Sequence, residues 1–177
     1  YGMRYSLFYR LGTSNVNTYA NDNPVVFNQE QQIYEKATPT GSKYYGKNKT
    51  IATYNNFEPR ASIAYQINDN QSVKASYNRM VQYLQLLSNT SSPTPLDVWT
   101  PSDEFIKPQI ADQVAIGYFK NFKDDMYSLE AEAFYKTIKN RIDYIDGANL
   151  IANEAIEQVI LNGRMRSYGL ELMLRKN

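Results

Sequence analysis

The chain of 177 residues contains neither cysteine nor histidine. Without cysteine it forms no disulfide and no thiolate metal site, and without histidine it lacks the commonest general base and the commonest zinc ligand. Catalytic sets of the Ser/His/Asp or Cys/His type are therefore excluded for this chain. We expect it to have no catalytic residues, to bind no metal and no cofactor, and not to be an enzyme.

An excess of charge of one sign is also lacking, since 19 basic and 18 acidic residues leave a net charge of +1. This balance gives no electrostatic reason to expect a nucleic acid as partner. No stretch of about 18 apolar residues exists, which excludes a transmembrane helix. The first ten residues, YGMRYSLFYR, lack the layout of a signal peptide, so we expect the chain to begin in mid-structure.

Tyrosine, by contrast, is abundant, with 16 residues in a chain whose mean hydropathy is -0.58. Its apolar ring and polar hydroxyl suit a strand end at a boundary between water and an apolar phase. Alternation of apolar and polar residues indicates strands, as where Leu129 and Ala131 point one way while Glu130 and Glu132 point the other. Six such strands are predicted, at about 2–12, 57–67, 72–83, 112–122, 126–142 and 164–175.

The predicted connections alternate between short and long. The turns at 68–71 (NDNQ) and 123–125 (KDD) are short, whereas 13–56, 84–111 and 143–162 are long. Long loops are uncommon inside a compact domain but are normal outside the cell in a transmembrane β-barrel. The pattern predicts an all-β fold, an antiparallel transmembrane β-barrel segment of about six long strands with short periplasmic turns and long extracellular loops. The alternative is a soluble β-sandwich that binds glycans or adheres to a surface.

In a barrel, the apolar face of each strand contacts the lipid bilayer and the polar face lines a wet lumen, because a charge facing hydrocarbon is costly. The predicted lipid-facing aromatic girdle consists of Tyr65, Tyr83, Tyr118, Tyr127, Tyr135 and Tyr168. The predicted lumen-facing residues are Arg4, Arg10, Arg60, Lys74, Glu130, Glu132, Glu171 and Arg175. For each of these charges the competing interpretation is a solvated wall of mixed charge.

The long connections carry aromatic residues that are candidates for stacking on a sugar or a flat chelate, namely Tyr44, Tyr45, Trp99 and Phe105. The competing interpretation is that these rings pack within their own loops. A weaker hypothesis gathers four carboxylates around calcium, although their spacing fits no calcium-loop signature: Asp97, Asp103, Glu104 and Asp112.

One further segment of the long connections, residues 148–163 (ANLIANEAIEQVILNG), has helical periodicity. Ile151, Ala155, Ile156, Val159 and Ile160 fall on one face at this spacing. The spacing predicts a short amphipathic helix that caps an outer loop.

Several segments resemble one known family. Residues 106–122, IKPQIADQVAIGYFKNF, resemble the barrel segment of TonB-dependent outer-membrane receptors in which L-K-P-E leads through a short polar stretch to apolar-x-x-G-Y/F. AFYKTIKNRIDYI, GRMRSYGLELMLRK and NNFEPRASIAYQINDNQSVKASYNRMVQ are similar to other strands of that family. The resemblance covers nearly all of residues 55–176 in the family's order, with Gln109 at a position where an acid is usual.

The resemblance implies an active importer of the bacterial outer membrane, with a barrel of about 22 strands filled by an N-terminal plug. Such a receptor binds a scarce nutrient outside the cell, such as a siderophore, cobalamin or an oligosaccharide, and admits it using energy transmitted by TonB. We expect this chain to supply about six barrel strands, without the plug, the TonB box or the terminal aromatic strand. The lumen-facing charges then become candidate plug contacts. A passive porin shares the barrel but has no plug.

Overall fold

The structure, a computed structural model, describes residues 1–87, 98–122, 126–150 and 153–176. These residues form an all-β, antiparallel fold, with single 3-10 turns at Ala20–Asp22 and Ile156–Val159. The described strands are β1 (Gly2–Leu11), β2 (Ser14–Thr18), β3 (Val25–Asn28), β4 (Ile33–Lys36), β5 (Gly41–Tyr45), β6 (Thr50–Asn68), β7 (Gln71–Gln82), β8 (Leu84–Leu87), β9 (Val98–Pro101), β10 (Gln109–Phe122), β11 (Tyr127–Tyr144) and β12 (Ile160–Lys176).

One open sheet of six long strands dominates the fold, in the order β1-β6-β7-β10-β11-β12. Every neighbouring pair in it is antiparallel. The predicted antiparallel sheet of six long strands is confirmed. Its strands have 10 to 19 residues, longer than the usual strand of about 5–6 residues and long enough to cross a membrane at a tilt.

Two of these strands begin four or more residues earlier than the alternation predicts. β6 begins at Thr50 rather than at 57, because its first residues complete the ladder with β1 as far as the pair Leu11 and Thr50, with a register shift after Arg10. β12 begins at Ile160 rather than at 164, because Ile160 pairs with Tyr144 at the end of β11. In both places a partner strand extends pairing into a segment whose own pattern is irregular.

The connections of the sheet lie at opposite ends according to their length. The turn between β6 and β7 is short, and Asn70 N donates to Asn68 Oδ1 over 3.0 Å within it. The predicted turn at 123–125 lies outside the described residues. The long connections all leave from the other end, where they contain three two-stranded sheets, β2–β5, β3–β4 and β8–β9.

The interpretation of 13–56 and 84–111 as loops is therefore wrong in part, since both contain paired strands. The amphipathic helix predicted over 148–163 is also wrong for the described residues. Only a single 3-10 turn forms at Ile156–Val159, and residues 160–163 already belong to β12. Pairing with β11 holds these residues extended, and 151–152 lie outside the described residues.

The buried core lies mainly among the long connections, and Ile160 at the start of β12 is its one member on the large sheet. It consists of Val25, Leu87, Ile106, Ile145, Leu150, Val159 and Ile160. The sheet itself leaves large apolar side chains uncovered, as Leu170, Leu172 and Leu174 are 68%, 68% and 70% exposed. Among the described residues no helix has the length and apolarity needed to span a membrane.

Candidate functional site

Neighbouring strands of the large sheet align their residues in rows that alternate between two chemistries. One row runs across five strands and is entirely apolar: Ile63, Ala75, Ile116, Ala133 and Leu170. The next row points to the other side and is Ala64, Lys74, Gly117, Glu132 and Glu171. Directly paired residues share a face of a sheet, so the two rows define an apolar face and a polar face.

Five of the six predicted girdle tyrosines lie on the apolar face. Tyr65 pairs with Val73, Tyr118 with both Val73 and Ala131, and Tyr135 with both Val114 and Tyr168, while Tyr127 pairs with Phe122. The rings of Tyr135 and Tyr168 are stacked with centroids 6.5 Å apart. That this face contacts lipid stays a prediction, which the uncovered leucines of β12 support.

The prediction is wrong for the sixth girdle residue, Tyr83, because its side chain lies on the polar side of the sheet. Its hydroxyl is 2.7 Å from Ser6 Oγ and accepts from Asn56 Nδ2 over 2.9 Å, and its ring stacks on Phe8. Pairing of β6 with β7 ends at Arg60 and Asn78, next to Pro59, which has no backbone N–H. Above that point the strands separate, and Tyr83 turns into the space between them.

All eight residues predicted to line the lumen lie on the polar face by register. Arg4 lies 3.6 Å from Glu58, and Lys74 Nζ lies 4.7 Å from the centre of the Phe119 ring. Glu132 and Glu171 are direct cross-strand partners, and both are exposed. Like charges in that position repel unless water or a cation separates them, so this stretch of wall favours an aqueous environment. The lumen and the plug contacts stay predictions.

Two glycines on the polar face make room for phenylalanine rings that cover them. A Cβ atom at Gly169 would lie 2.8 Å from Phe134 Cε1, and one at Gly117 would lie 2.9 Å from Phe119 Cε2. Phe134 is the direct cross-strand partner of Gly169. The two rings cover the glycine backbone on the polar face. They also occupy the space that a side chain at either glycine position would need.

At the end of the sheet opposite the β6–β7 turn, the three long connections fold together into a cap that consists of 12–49, 83–87 with 98–108, and 145–150 with 153–159. They share the buried core, and Tyr19 Oη and Asn17 Nδ2 both donate to Glu157 Oε1 over 2.7 and 3.0 Å. Burial and the hydrogen bond to Glu157 raise the pKa of Tyr19 well above its ordinary value. The first and third connections leave from opposite edges of the sheet, so the contacts between them close the cap over its end.

Asp103 attaches the middle connection to the polar face of the sheet. Its carboxylate accepts hydrogen bonds from Arg10 Nη1, from Phe105 N over 2.9 Å and from Ile106 N over 2.7 Å. Its carbonyl oxygen accepts from Tyr54 Oη over 2.5 Å. Arg10 and Tyr54 belong to β1 and β6, so one buried aspartate joins two barrel strands to the cap.

The four aromatic candidates for substrate contact divide into two pairs. Tyr44 and Trp99 are exposed, at 65% and 61%. Phe105 instead packs edge-on against Tyr19 with ring centroids 5.5 Å apart, and Tyr45 Oη donates to Glu104 over 3.4 Å. Only Tyr44 and Trp99 of the four present a free ring face at the surface of the cap; a contact with substrate stays a prediction.

The carboxylates of the calcium hypothesis do not come together. Asp103 is committed to Arg10, Asp112 is committed to Arg79 with Nε 2.7 Å from Oδ1, and Asp97 lies outside the described residues. Within the described ranges no three acidic side chains form a group able to hold a metal ion.

Sequence reasoning missed one buried charge of the large sheet and the contacts that hold the cap together. Glu58 is 2% exposed on the polar face, and Glu157 and Asp103 hold connections that are far apart in sequence. The hairpin β3–β4 also carries an unforeseen aromatic pair, Phe27 and Tyr34, with centroids 5.0 Å apart. Periodicity carries no signal for such contacts, because each joins segments separated by tens of residues.

Comparison with known proteins identifies a family for a chain with this arrangement of strands. The family model described as TonB dependent receptor-like, beta-barrel matches residues 2–176. No curated protein and no solved structure matches the chain.

Proposed function

Because the chain belongs to the family of TonB-dependent receptor-like β-barrels, which lie in the outer membrane of Gram-negative bacteria and serve transport, we propose that it is the nutrient-binding side of an active importer. In this proposal the cap captures a scarce nutrient outside the cell. The polar face of the sheet lines the route inward, and energy transmitted by TonB opens that route.

The observation that carries the proposal is the division of the large sheet into an uncovered apolar face and a charged polar face under a single cap. The apolar face suits contact with acyl chains, and the polar face suits enclosed water. The alternative, a soluble sandwich, needs a second layer over the apolar face. In the part of the chain that the structure describes, the leucines of β12 and Ile63 at 70% exposure carry no such layer.

A closed wall requires partners for both edges of the sheet. β1 pairs only with β6, and β12 pairs only with β11, among the described strands. Unpaired backbone groups in hydrocarbon cost several kcal/mol each, so an open edge is not stable in a membrane. We infer that the wall of the working barrel continues beyond β1 and β12 and encloses a plug that the polar face contacts.

The exposed rings of the cap support a proposal for the nutrient class. Tyr44 and Trp99 offer exposed rings, which suit stacking on a flat metal chelate, a corrin or a sugar ring. Aromatic side chains of this kind contribute most of the binding free energy at many recognition surfaces. We propose that one or both contact the nutrient, which is a siderophore, a cobalamin or an oligosaccharide.

Uptake by cells that carry the intact receptor tests this function. Accumulation of a labelled nutrient is expected only when TonB is present and the inner membrane is energised. Uptake that persists without TonB would indicate a passive pore instead. Adherence to glycans without any TonB-dependent uptake would support the adhesion alternative.

We predict that Trp99→Ala and Tyr44→Ala weaken nutrient binding to whole cells by about 1–2 kcal/mol, a factor of about 5–30. The matched control is Tyr34→Ala, which removes another exposed ring of the cap. Titration of labelled nutrient onto de-energised cells measures binding without transport. If Trp99→Ala and Tyr44→Ala bind the nutrient with the same affinity as the unchanged receptor, these two rings do not belong to the binding site.

A further inference from the structure

Two glycines of the chain follow a residue whose side-chain carbonyl group can react with the next backbone nitrogen. They form the pairs Asp146-Gly147, in the third connection of the cap, and Asn162-Gly163, in β12. In such a pair the glycine nitrogen can attack the side-chain carbonyl carbon and close a five-membered ring, and glycine has no side chain to hinder the approach. The local structure decides whether the ring closes, and the two pairs lie in opposite environments.

Asp146 and Gly147 occupy the centre of an exposed turn. Ala148 N donates to Ile145 O over 3.1 Å across it, and Gly147 has a φ of +70° whereas the φ of Asp146 is not positive, as in a type II turn. The Asp146 carboxylate forms no hydrogen bond or ion pair with another residue that the structure describes. Gly147 N donates to no described carbonyl group, and a Cβ atom at Gly147 would meet nothing within 4 Å. Nothing in the described part of the chain blocks either reacting group.

Asn162 and Gly163 are instead held in place. They lie in the ladder between β12 and β11, where they pair with Ile142 and Arg141. Asn162 Nδ2 donates to Phe105 O over 2.8 Å, so the side-chain amide is fixed on the middle connection of the cap. Ring closure would have to break this bond and bend the strand away from its partner. An Asn-Gly pair in a flexible chain reacts faster than an Asp-Gly pair, and here the ladder is expected to reverse that order.

We propose that Asp146 is a site of spontaneous isoaspartate formation. Gly147 N attacks Asp146 Cγ, and the carboxyl OH leaves with the amide proton as one water molecule, which gives a succinimide ring. A second water molecule opens the ring. Attack at the ring carbonyl of the side chain restores aspartate, and attack at the main-chain carbonyl gives isoaspartate. One water is released and one is consumed, so the reaction needs no oxidant, no cofactor and no enzyme.

The product lengthens the main chain by one methylene group at a point between two residues of the buried core. Ile145 and Leu150 lie on either side of the turn and are 8% and 4% exposed. Ile145 N also donates to Val159 O over 3.1 Å. The longer backbone does not fit the bond from Ala148 N to Ile145 O, so we expect the third connection of the cap to open more readily in the isoaspartyl form.

Ageing of the intact receptor in detergent at neutral pH tests the proposal. The aged receptor is digested, and electron-transfer fragmentation of the peptides distinguishes isoaspartate from aspartate. We expect isoaspartate at Asp146 to accumulate at least about tenfold faster than any product at Asn162, which the ladder protects. Absence of isoaspartate at Asp146, or faster reaction at Asn162, would overturn the proposal.

Asp146→Glu is the matched control, because it keeps an exposed carboxylate in the turn but would need a six-membered ring. It is expected to give no isomer during the same ageing. Gly147→Ala is expected to slow the reaction at least about tenfold, because the added methyl group hinders attack by the nitrogen. Isomer formation at an unchanged rate in Gly147→Ala would contradict ring closure through this nitrogen.

Amide hydrogen exchange measures the effect on the cap. After ageing, Ile145 and Ala148 are expected to exchange faster in the unchanged receptor than in Asp146→Glu. Equal exchange in the two aged receptors, with isoaspartate present in one of them, would contradict the expected opening of the third connection.

Discussion

At the scale of single residues, Asp103 shows how the cap is fastened to the barrel wall. It is 9% exposed, and it provides acceptors to Arg10, to Tyr54 and to two backbone N–H groups of its own turn. A buried carboxylate that loses such partners is costly, and so are donors that lose the carboxylate. The attachment therefore depends on both its charge and its geometry.

We predict that Asp103→Ala loosens the middle connection of the cap more than Asp103→Asn does. Asparagine keeps an acceptor for Phe105 N and Ile106 N but loses the ion pair, whereas alanine loses both. The opening free energy of this turn is expected to fall by about 1–3 kcal/mol in Asp103→Ala. Amide hydrogen exchange of Phe105 and Ile106 in the intact receptor measures it.

Asp146→Asn serves as the control for Asp103→Asn, because Asp146 is exposed in a turn. Its effect on exchange at the Asp103 turn is expected to be negligible. Exchange rates that do not change in Asp103→Ala would mean that the cap is held by its apolar core alone.

At the scale of strands, the pairing of β11 with β12 depends on glycine. Phe134 lies over Gly169, so any side chain at that position has to displace the ring. Glycine is otherwise a poor strand residue, and valine is a good one. The Phe134 ring therefore favours glycine over valine at position 169, which is the reverse of the usual preference in a strand.

We predict that Gly169→Val destabilises the intact receptor by about 1–3 kcal/mol through overpacking. In a Phe134→Leu background the same substitution is expected to be nearly neutral or stabilising, because the obstruction is gone. Thermal unfolding, followed by heat-dependent migration on gels, measures both variants. Gly2→Val is the control, since a Cβ there meets nothing within 4 Å. Equal destabilisation in both backgrounds would show that Phe134 is not the cause.

The strand scale is also where sequence reasoning performs best. The alternation in residues such as Leu129 to Glu132 is local, so it predicts six strands, their order of faces and the long connections at one end. It does not predict that β6 begins at Thr50, because that depends on pairing with β1. Nor does it predict the position of Tyr83, whose side chain enters a gap left where β6 and β7 separate.

The candidate site likewise has one part that the sequence predicts and one part that it does not. The charges of the polar face were predictable because they alternate with apolar residues on the same strand. The cap was not, because Glu157 joins Tyr19 across 138 residues and Gln158 donates to Ala37 O across 121 residues. The helix expected over 148–163 failed because the ladder with β11 holds residues 160–163 extended, whatever their apolar spacing.

At the scale of the whole molecule, the proposed function requires opposite solvents for the two faces of one sheet. Hydrocarbon on the apolar face explains why leucines at 68–70% exposure are tolerated, and water on the polar face explains why Glu132 and Glu171 are paired directly. In the proposed function, the same partition places the cap outside the cell. If the partition is reversed, the polar face of the sheet cannot line a transport route.

The most direct measurement of this partition is a cysteine scan of β12 in a receptor freed of any other cysteine, to which this chain contributes none. Spin labels are placed singly at residues 167–174 of the intact receptor in a bilayer, and their access to oxygen and to a water-soluble nickel chelate is compared. Oxygen access is expected to peak at Tyr168, Leu170, Leu172 and Leu174 and nickel access at the residues between them. Peaks in the opposite phase, or no alternation with period two, would contradict the account.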